Sequence, residues 1–497
     1  MQCGSPVLPV AVWEGTKCPC PRNNRPFQAQ TRRASRWPPD VFSFLAISAS
    51  TRPVRQRARI LVFATRDACS VTVEDSPRGK IVKALRSFAP GELLFVEKPA
   101  IAVIQSTCEF SMQDLQAWVD AFAALPHATR VSILELYCCE QAAPGGTLAS
   151  LLGADGEGVA KLDCPGGMSE DIWHFLRIVE CNTFQVPVSN GKVRLELALL
   201  GSRLNHSCCP NALRGPGREA GTIEIRALRP LEMGDEINLA YLDEKLYEPM
   251  EPRRAVLQAR WQFKCECERC MAPDTLRAFR CEVCSGRHLA QSPEELGPCR
   301  NCGHVLPQEV CVGAVASEQR LQEALPQLEQ EASSVVLALS GAIDGQDGQA
   351  LTEAVTAGFA FLTSCQKLLQ EAPHLAPEHH LGVRLSKAAV AVRTRLGDGF
   401  AAAGQTEQAT ELWGQSALEL QQAIVAENVA LALPRDNKAS ELIKLAGLYQ
   451  RMGSVADSKR CLQDALAVMK LVYWACDETK RAAAEQLRQD IAASLDE

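Results

Sequence analysis

GSRLNHSCCPN, spanning Gly201–Asn211, decides the reading of this chain. Its Asn-His pair leads into a Ser-Cys-Cys-Pro-Asn turn. GDEINLAYLD follows at Gly234–Asp243 and carries Tyr241 seven residues after Gly234. FKCECERC then places Cys265, Cys267 and Cys270 in a CxCxxC pattern just after Phe263. Three thiolates at that spacing need a fourth to close a tetrahedral zinc site. Cys208 and Cys209, side by side in the first stretch, both offer one.

Beyond FKCECERC a second cysteine set reads as metal-binding from its spacing alone. RCEVCSGRHLAQSPEELGPCRNCGH holds Cys281, Cys284, Cys299 and Cys302 as CxxC-x14-CxxC, with Gly286 and Gly303 where knuckle turns need them. That is the spacing of a zinc ribbon. Stacking aromatics and dense basic runs are scarce around it, so a structural role is expected. His288 and His304 lie nearby but are superfluous to a four-thiolate site.

The whole chain has 497 residues, enough for two to four domains, with 46% hydrophobic and 22% charged residues. Aromatic content of 5% argues against a base-stacking nucleic-acid surface. The net charge of -7 is uneven: residues 1–60 hold ten Arg and Lys against two acids, leaving the rest near -15 (-7 less +8). An acidic body suits a basic protein partner such as a histone tail. The 22 cysteines cluster at metal spacings, which suits a reducing compartment, cytoplasmic or nuclear. No apolar run reaches the roughly 20 residues of a membrane helix. Residues 1–66 read as a basic, disordered leader, with organelle targeting open because it is Arg-rich and acid-poor.

Folded sequence is expected from about Asp67. CSVTVED (Cys69–Asp75) alternates as a half-buried strand, and LLFVEKPAIAV reads as one further buried strand. Ser111-x-x-Asp114 is a capping box opening a helix over LQAWVDAFAAL, and ATRVSILELYCCE continues as a second helix to Glu140. APGGTLASLLGADGEG is expected to be loop. A further helix runs over Asp171–Phe184, and TIEIRALRPLEMGDEINLAYL gives two short strands joined at Met233-Gly234. From 313 to 497 the chain is Ala/Leu/Glu/Gln-rich and helical. There, Phe400 and Tyr449 each precede a glycine (Gly404, Gly453) by four residues, with an alanine early in the next helix. Helix-turn-helix units of this plan resemble tetratricopeptide repeats. His379 and His380 are expected in a solvent-facing loop before them, and Glu248 and Glu251 in a solvated loop.

The order NHSCCPN, GDEINLAYLD, FKCECERC resembles the SET-domain lysine methyltransferases, most closely their SET-and-MYND (SMYD) branch, over residues 69–107 and 171–302. The resemblance implies an α+β fold: a SET β-fold with a knot-like C-terminal crossing over 67–263, a post-SET zinc site and zinc ribbon over 264–312, and an all-α TPR-like array over 313–497. It implies transfer of a methyl group from S-adenosylmethionine to a lysine of a protein substrate, histone or non-histone, with two structural Zn2+ ions. Tyr241 matches the catalytic tyrosine. Arg78, Gly79, Lys80, Asn182, Asn205, His206 and Phe263 match positions that contact the cofactor, as does Tyr241. Cys208 matches the fourth ligand to Cys265, Cys267 and Cys270.

Two features depart from the pattern. The MYND module is missing, replaced by a helical insertion over 108–170, so its peptide or DNA contacts are not carried over. The usual G-x-G cofactor loop reads RGKIVKA, with Ile81 in place of the second glycine, where a β-branched side chain at positive φ would be strained. Ile81 motivates an alternative, a catalytically weak scaffold that captures a protein partner through its helical repeats. A nucleic-acid adaptor, built on the ribbon and the basic leader, is the remaining reading; no membrane role is expected.

Overall fold

Alternation of apolar and polar residues makes VTVEDS and GKIVKA pair rather than coil. In the computed structural model β1 (Val71–Ser76) and β2 (Gly79–Ala84) form an antiparallel hairpin in register Ser76 to Gly79. The structure describes residues 70–472 apart from 106–109, 141, 143–145, 165–168, 188–191, 220 and 432–435, together with four residues between 482 and 489. The leader 1–66 and most of the chain after 472 lie outside the described residues, and with them the targeting reading. All described residues belong to one compact unit, Arg59–Glu497.

LLFVEKPAIAV is two strands, not one. β3 (Leu93–Glu97) and β4 (Ile101–Ile104) are separated at Lys98-Pro99-Ala100, where proline removes a ladder donor. The break sends them to different sheets. β3 pairs with β9 (Ile223–Ala227), which also pairs with β8 (Ala212–Pro216). β4 pairs with β6 (Val193–Leu197), which also pairs with β5 (Phe184–Pro187). The first sheet and the β1-β2 hairpin share a core of Val71, Val82, Phe95, Leu204, Ile225 and Ile237.

The insertion packs on the second sheet. Helix α1 (Met112–Ala123) starts at the expected capping box, with the Ser111 and Asp114 side chains bonding each other's backbone N–H. Its Trp118 and Phe122 meet Phe175 of α4 (Ser169–Asn182), the Phe122 and Phe175 rings stacking at 4.1 Å. Helix α2 is shorter than the sequence suggests, His127–Leu134 rather than to Glu140. Past it the chain is claimed by tertiary bonds: the Asn182 amide donates to the Tyr137 carbonyl at 2.7 Å, and the Tyr137 hydroxyl to the Trp261 carbonyl at 2.7 Å. The expected glycine-rich loop contains a helix, α3 (Thr147–Leu152), because Leu148 and Leu152 are one turn apart and both reach the core.

The strands around Met233-Gly234 are not hairpin partners. β9 belongs to the first sheet, whereas β10 (Asn238–Leu239) pairs in parallel with β7 (Asn205–His206). Helices α5 (Met250–Trp261) and α6 (Glu268–Met271) then lead to the ribbon hairpin, β11 (Asp274–Arg280) with β12 (Arg287–Ala290).

Among the described residues six helices follow: α7 (Gln308–Asp344), α8 (Gly348–Glu371), α9 (His380–Ala402), α10 (Thr406–Ala430), α11 (Asp436–Arg451) and α12 (Val455–Val472). The repeat signature has a backbone cause. Gly404 and Gly453 are left-handed, at φ 76° and 75°. The following N–H reaches back to the carbonyl of the aromatic, Gln405 to Phe400 at 2.9 Å and Ser454 to Tyr449 at 2.8 Å. Both first helices therefore close by the same Schellman turn. Both next helices carry the early alanine, but at different depths: Ala409 is buried, whereas Ala456 is exposed and Ser458 takes the buried position five residues past Gly453.

His379 and His380 are not in a solvent-facing loop. His379 is the N-cap of α9, fully buried, with its Nε2 3.1 Å from Glu318 on α7. Arg277 of β11 grips the same carboxylate through two bonds, 2.7 and 2.6 Å. A buried carboxylate needs such partners, and the histidine is drawn inside to supply one.

Candidate active site and metal centres

The parallel β7-β10 pair brings the signature stretch beside the tyrosine stretch. Asn211 fastens the crossing: its Oδ1 accepts from the Asn238 N–H at 2.8 Å and its amide donates to the Glu236 carbonyl at 2.8 Å. Asn205 donates to the Glu236 carboxylate at 3.0 Å and to the Lys80 carbonyl at 3.2 Å, tying in the β1-β2 hairpin.

His206 lies between the tyrosine and the cysteines. Its Nδ1 accepts from the Tyr241 N–H at 3.0 Å, and its Nε2 is 3.2 Å from the Cys208 sulfur. These contacts select the tautomer protonated at Nε2, which donates to a thiolate. Burial pushes the ring's pKa down to about 4, so it is neutral at ordinary pH. The Tyr241 hydroxyl donates to the Leu204 carbonyl at 2.6 Å. Burial raises this phenol well above its usual range and keeps it protonated. The Tyr241 ring lies 5.2 Å from the His206 ring and 5.2 Å from the Trp261 ring.

Cys208, Cys265, Cys267 and Cys270 bring their sulfurs within 4.8 Å of one another. Four zinc–sulfur bonds of about 2.3 Å in a tetrahedron require sulfur separations just under 4 Å, so this donor set fits zinc. It leaves no open position for water. Of the two adjacent cysteines, Cys208 is the one that joins this cluster, and it is fully buried. Three cations support the cluster, among them Arg254, which donates to the Cys265 and Cys270 carbonyls at 3.2 and 2.9 Å. Arg253, 1% exposed, approaches Cys208 at 3.3 Å and Cys270 at 3.5 Å; Arg269 donates to the Cys208 carbonyl at 3.3 Å. Four thiolates around a divalent ion carry a net charge of about -2, which these guanidiniums offset.

Gln262 is one of two described non-glycine residues at positive φ, 55°. It ends α5 and reverses the chain between two aromatics. Trp261 faces Tyr241, and Phe263 approaches His206 at 6.2 Å between ring centres.

The hairpin turn shows that Ile81 carries no backbone strain. The positive φ, 93°, falls at Gly79; Ile81 is an ordinary β2 residue, buried and paired with Glu74. No strain arises from its branching. Arg78 and Lys80 are exposed and ion-paired, with Glu236 at 2.6 Å and Asp75 at 2.5 Å. Asn182 has its amide nitrogen committed to the Tyr137 and Ile178 carbonyls.

Cys281, Cys284, Cys299 and Cys302 also come within 4.8 Å of one another, and this set fits zinc equally well. Backbone N–H groups of Gly286 and Asn301 point at its sulfurs, at 3.3 and 3.5 Å. His288 is buried with Nδ1 2.9 Å from the Gly297 carbonyl, outside the set. Glu318, His379 and His380 approach one another as well. They do not fit a metal. His379 Nδ1 accepts from the Leu381 N–H, so Nε2 carries the proton, and Arg277 already holds the carboxylate.

The chain matches the SET domain family over residues 79–242. Those residues are a SET domain. Among curated relatives, the mouse N-lysine methyltransferase SMYD2 is 35% identical over 124 residues, 23% of this chain and 25% of that protein. The mouse histone-lysine N-methyltransferase SMYD3 is 34% identical over 110 residues, 21% and 24% of the two chains. A SET and MYND domain-containing protein of Dictyostelium discoideum is 33% identical over 97 residues, 19% and 22%. The match thus spans about a quarter of the length of these relatives. A solved SET domain of LSMT, bound to lysine and AdoHcy, aligns with 71% of this chain and 88% of that one at 11% identity; its TM-score of 0.25 is too low to carry an argument. The SET domain here is SMYD-like; it supplies Cys208 to the first zinc-type cysteine cluster, and the other seven cysteines of the two clusters follow it in sequence.

Sequence reasoning missed Asn211, Glu236, Arg253 and Trp261 as supports of this site. Arg253 had a signal: it shares the buried face of α5 with Met250, Leu257 and Trp261. A charge on an apolar helical stripe points to a buried partner.

Proposed function

We propose that this chain is a protein-lysine methyltransferase that takes its methyl group from S-adenosylmethionine. The observation that carries the reading is the joining of Tyr241, His206 and the Cys208 cluster through consecutive contacts within a SMYD-like SET domain. The relatives named above as lysine methyltransferases support the same chemistry.

The polar surroundings of the β1-β2 turn suit the cofactor: Gly79 leaves open space at its Cα, and Arg78, Lys80 and Asn205 present cationic and amide groups there. His206 and Phe263 supply flat surfaces beside the crossing. When bound, S-adenosylmethionine provides an electrophilic methyl group. The protein's part is positioning and exclusion of water. Tyr241 stays a neutral hydroxyl in a buried setting and, with the Leu204 carbonyl it bonds, forms a polar edge able to orient a substrate amine. His206 fixes the Tyr241 backbone relative to the thiolate cluster. Asn182 acts through its hold on the Tyr137 segment. Both zinc ions are structural in this reading, and the substrate is a lysine-bearing protein, histone or not, with the helical array limiting or extending its contacts.

The weak-scaffold alternative rested on Ile81 standing where a glycine allows positive φ or close backbone approach; the ordinary strand conformation removes the strain, and cofactor titration tests the approach. The test is titration of the purified chain with S-adenosylmethionine by calorimetry, followed by labelled methyl transfer to lysine-rich proteins. Binding together with lysine labelling supports the proposal. Absence of cofactor binding by zinc-replete protein overturns it.

A further inference from the structure

Among the described cysteines outside the two clusters, Cys138, Cys139 and Cys181 lie where the insertion meets α4. The Cys139 and Cys181 sulfurs are 3.3 Å apart, although 42 residues separate them in sequence. Both are reduced thiols, one buried and one half-buried. Fixed partners surround the pair. Arg177 donates to the Cys139 carbonyl at 3.0 Å, and the Cys139 sulfur is 3.6 Å from the Arg260 carbonyl. Trp261 donates its indole N–H to the Cys181 carbonyl at 2.9 Å. The backbones of both cysteines are therefore anchored by Arg177 and Trp261, and the Cys139 sulfur adds its own contact to the Arg260 carbonyl. The hydrogen bond from Cys181 brings the Cys139 thiol down to about 7, while Cys181 is pushed up. One partner is thus the nucleophile and the other the resolving thiol. Cys138 faces away, 3.5 Å from His174 Nδ1.

We propose that Cys139 and Cys181 form a dithiol site that a hydroperoxide oxidises to an intramolecular disulfide. The Cys139 thiolate attacks the peroxide O–O bond, giving a sulfenic acid and releasing hydroxide. The Cys181 sulfur attacks the sulfenic sulfur, forming the S–S bond and releasing water. Two thiols and one hydrogen peroxide give one disulfide and two waters. The bond covalently joins the insertion to the end of α4, next to the tryptophan that backs Tyr241. The proposal rests on the pair's geometry and not on the methyl-transfer reading.

The test uses the reduced, zinc-replete full chain treated with one equivalent of hydrogen peroxide. It is then unfolded, alkylated, digested and mapped by mass spectrometry. The expected result is a Cys139–Cys181 linked peptide as the main oxidised species, lost on treatment with a dithiol. Cys365 and Cys461, isolated buried thiols held up at about 11, should remain alkylatable. In Cys181→Ser a sulfenic acid at Cys139 should be trapped by a cyclic dione. Cys138→Ser should keep the link. Full alkylation of both wild-type cysteines after peroxide, or a Cys138–Cys139 link in their place, overturns the proposal; the wild-type map requires no variant to fold.

Discussion

The two thiolate clusters have the same four donors and opposite architectures. Cys281, Cys284, Cys299 and Cys302 come from 22 consecutive residues, and their sulfurs are met by local backbone N–H groups. The other set takes Cys208 from the signature turn and three cysteines from some sixty residues later. It is met by buried guanidiniums, and its first ligand touches His206. A local cluster stabilises its own knuckles. A long-range cluster closes a tertiary loop, so whatever binds there reports on the whole crossing.

That contrast sets the order of expected effects. Cys208→Ser should remove one zinc equivalent and abolish cofactor-dependent methyl transfer, because the crossing loses its closing ligand; zinc counting by plasma emission and a labelled-methyl assay read both. If transfer survives, the two clusters do not differ as argued. Tyr241→Phe should lower transfer by about 10²-fold, the usual scale for deleting one positioned hydroxyl at a reacting centre, with zinc content unchanged. Arg253→Leu should weaken zinc at the long-range cluster by about 10- to 100-fold, the usual range for an outer partner, and leave the ribbon alone. A chelator competition that releases one zinc early would show it. Cys302→Ser, at an exposed ligand of the ribbon, should cost the second zinc while transfer stays within a few-fold of wild type.

A smaller effect concerns acid. Burial would raise the Glu318 pKa, but bonds from Arg277 and His379 outweigh it and bring the carboxyl to about 2. A carboxyl depressed in the folded state stabilises above its unfolded value near 4.5 and loses that contribution as pH falls toward 2. The loss should be on the order of a few kcal/mol. Denaturant melts across that window should show it, and Glu318→Gln should flatten the slope.

Legibility followed the range of the interactions. The capping box at Ser111, the ribbon spacing and the aromatic-to-glycine interval of the repeats were readable because each is set within a few residues. The Cys208 assignment came from a resemblance, since spacing alone offered Cys209 as well. What failed was decided at a distance. Helix α2 stops early because Asn182 and Trp261 compete for the segment after it, and His379 is buried because β11 and α7 converge on one carboxylate. Strain at Ile81 did not arise for another reason: the positive φ sits two residues earlier, at Gly79, and the motif does not say which glycine the turn needs.

The left-handed residue at the end of α5 has a further consequence. Gln262 sits between two rings, one against the phenol and one beside the imidazole. A β-branched replacement such as Gln262→Val would resist that pose and swing both planes at once, whereas Gln262→Gly would permit it. The enclosure around Tyr241 therefore depends on the handedness of one peptide unit that lends no atom of its own to the chemistry.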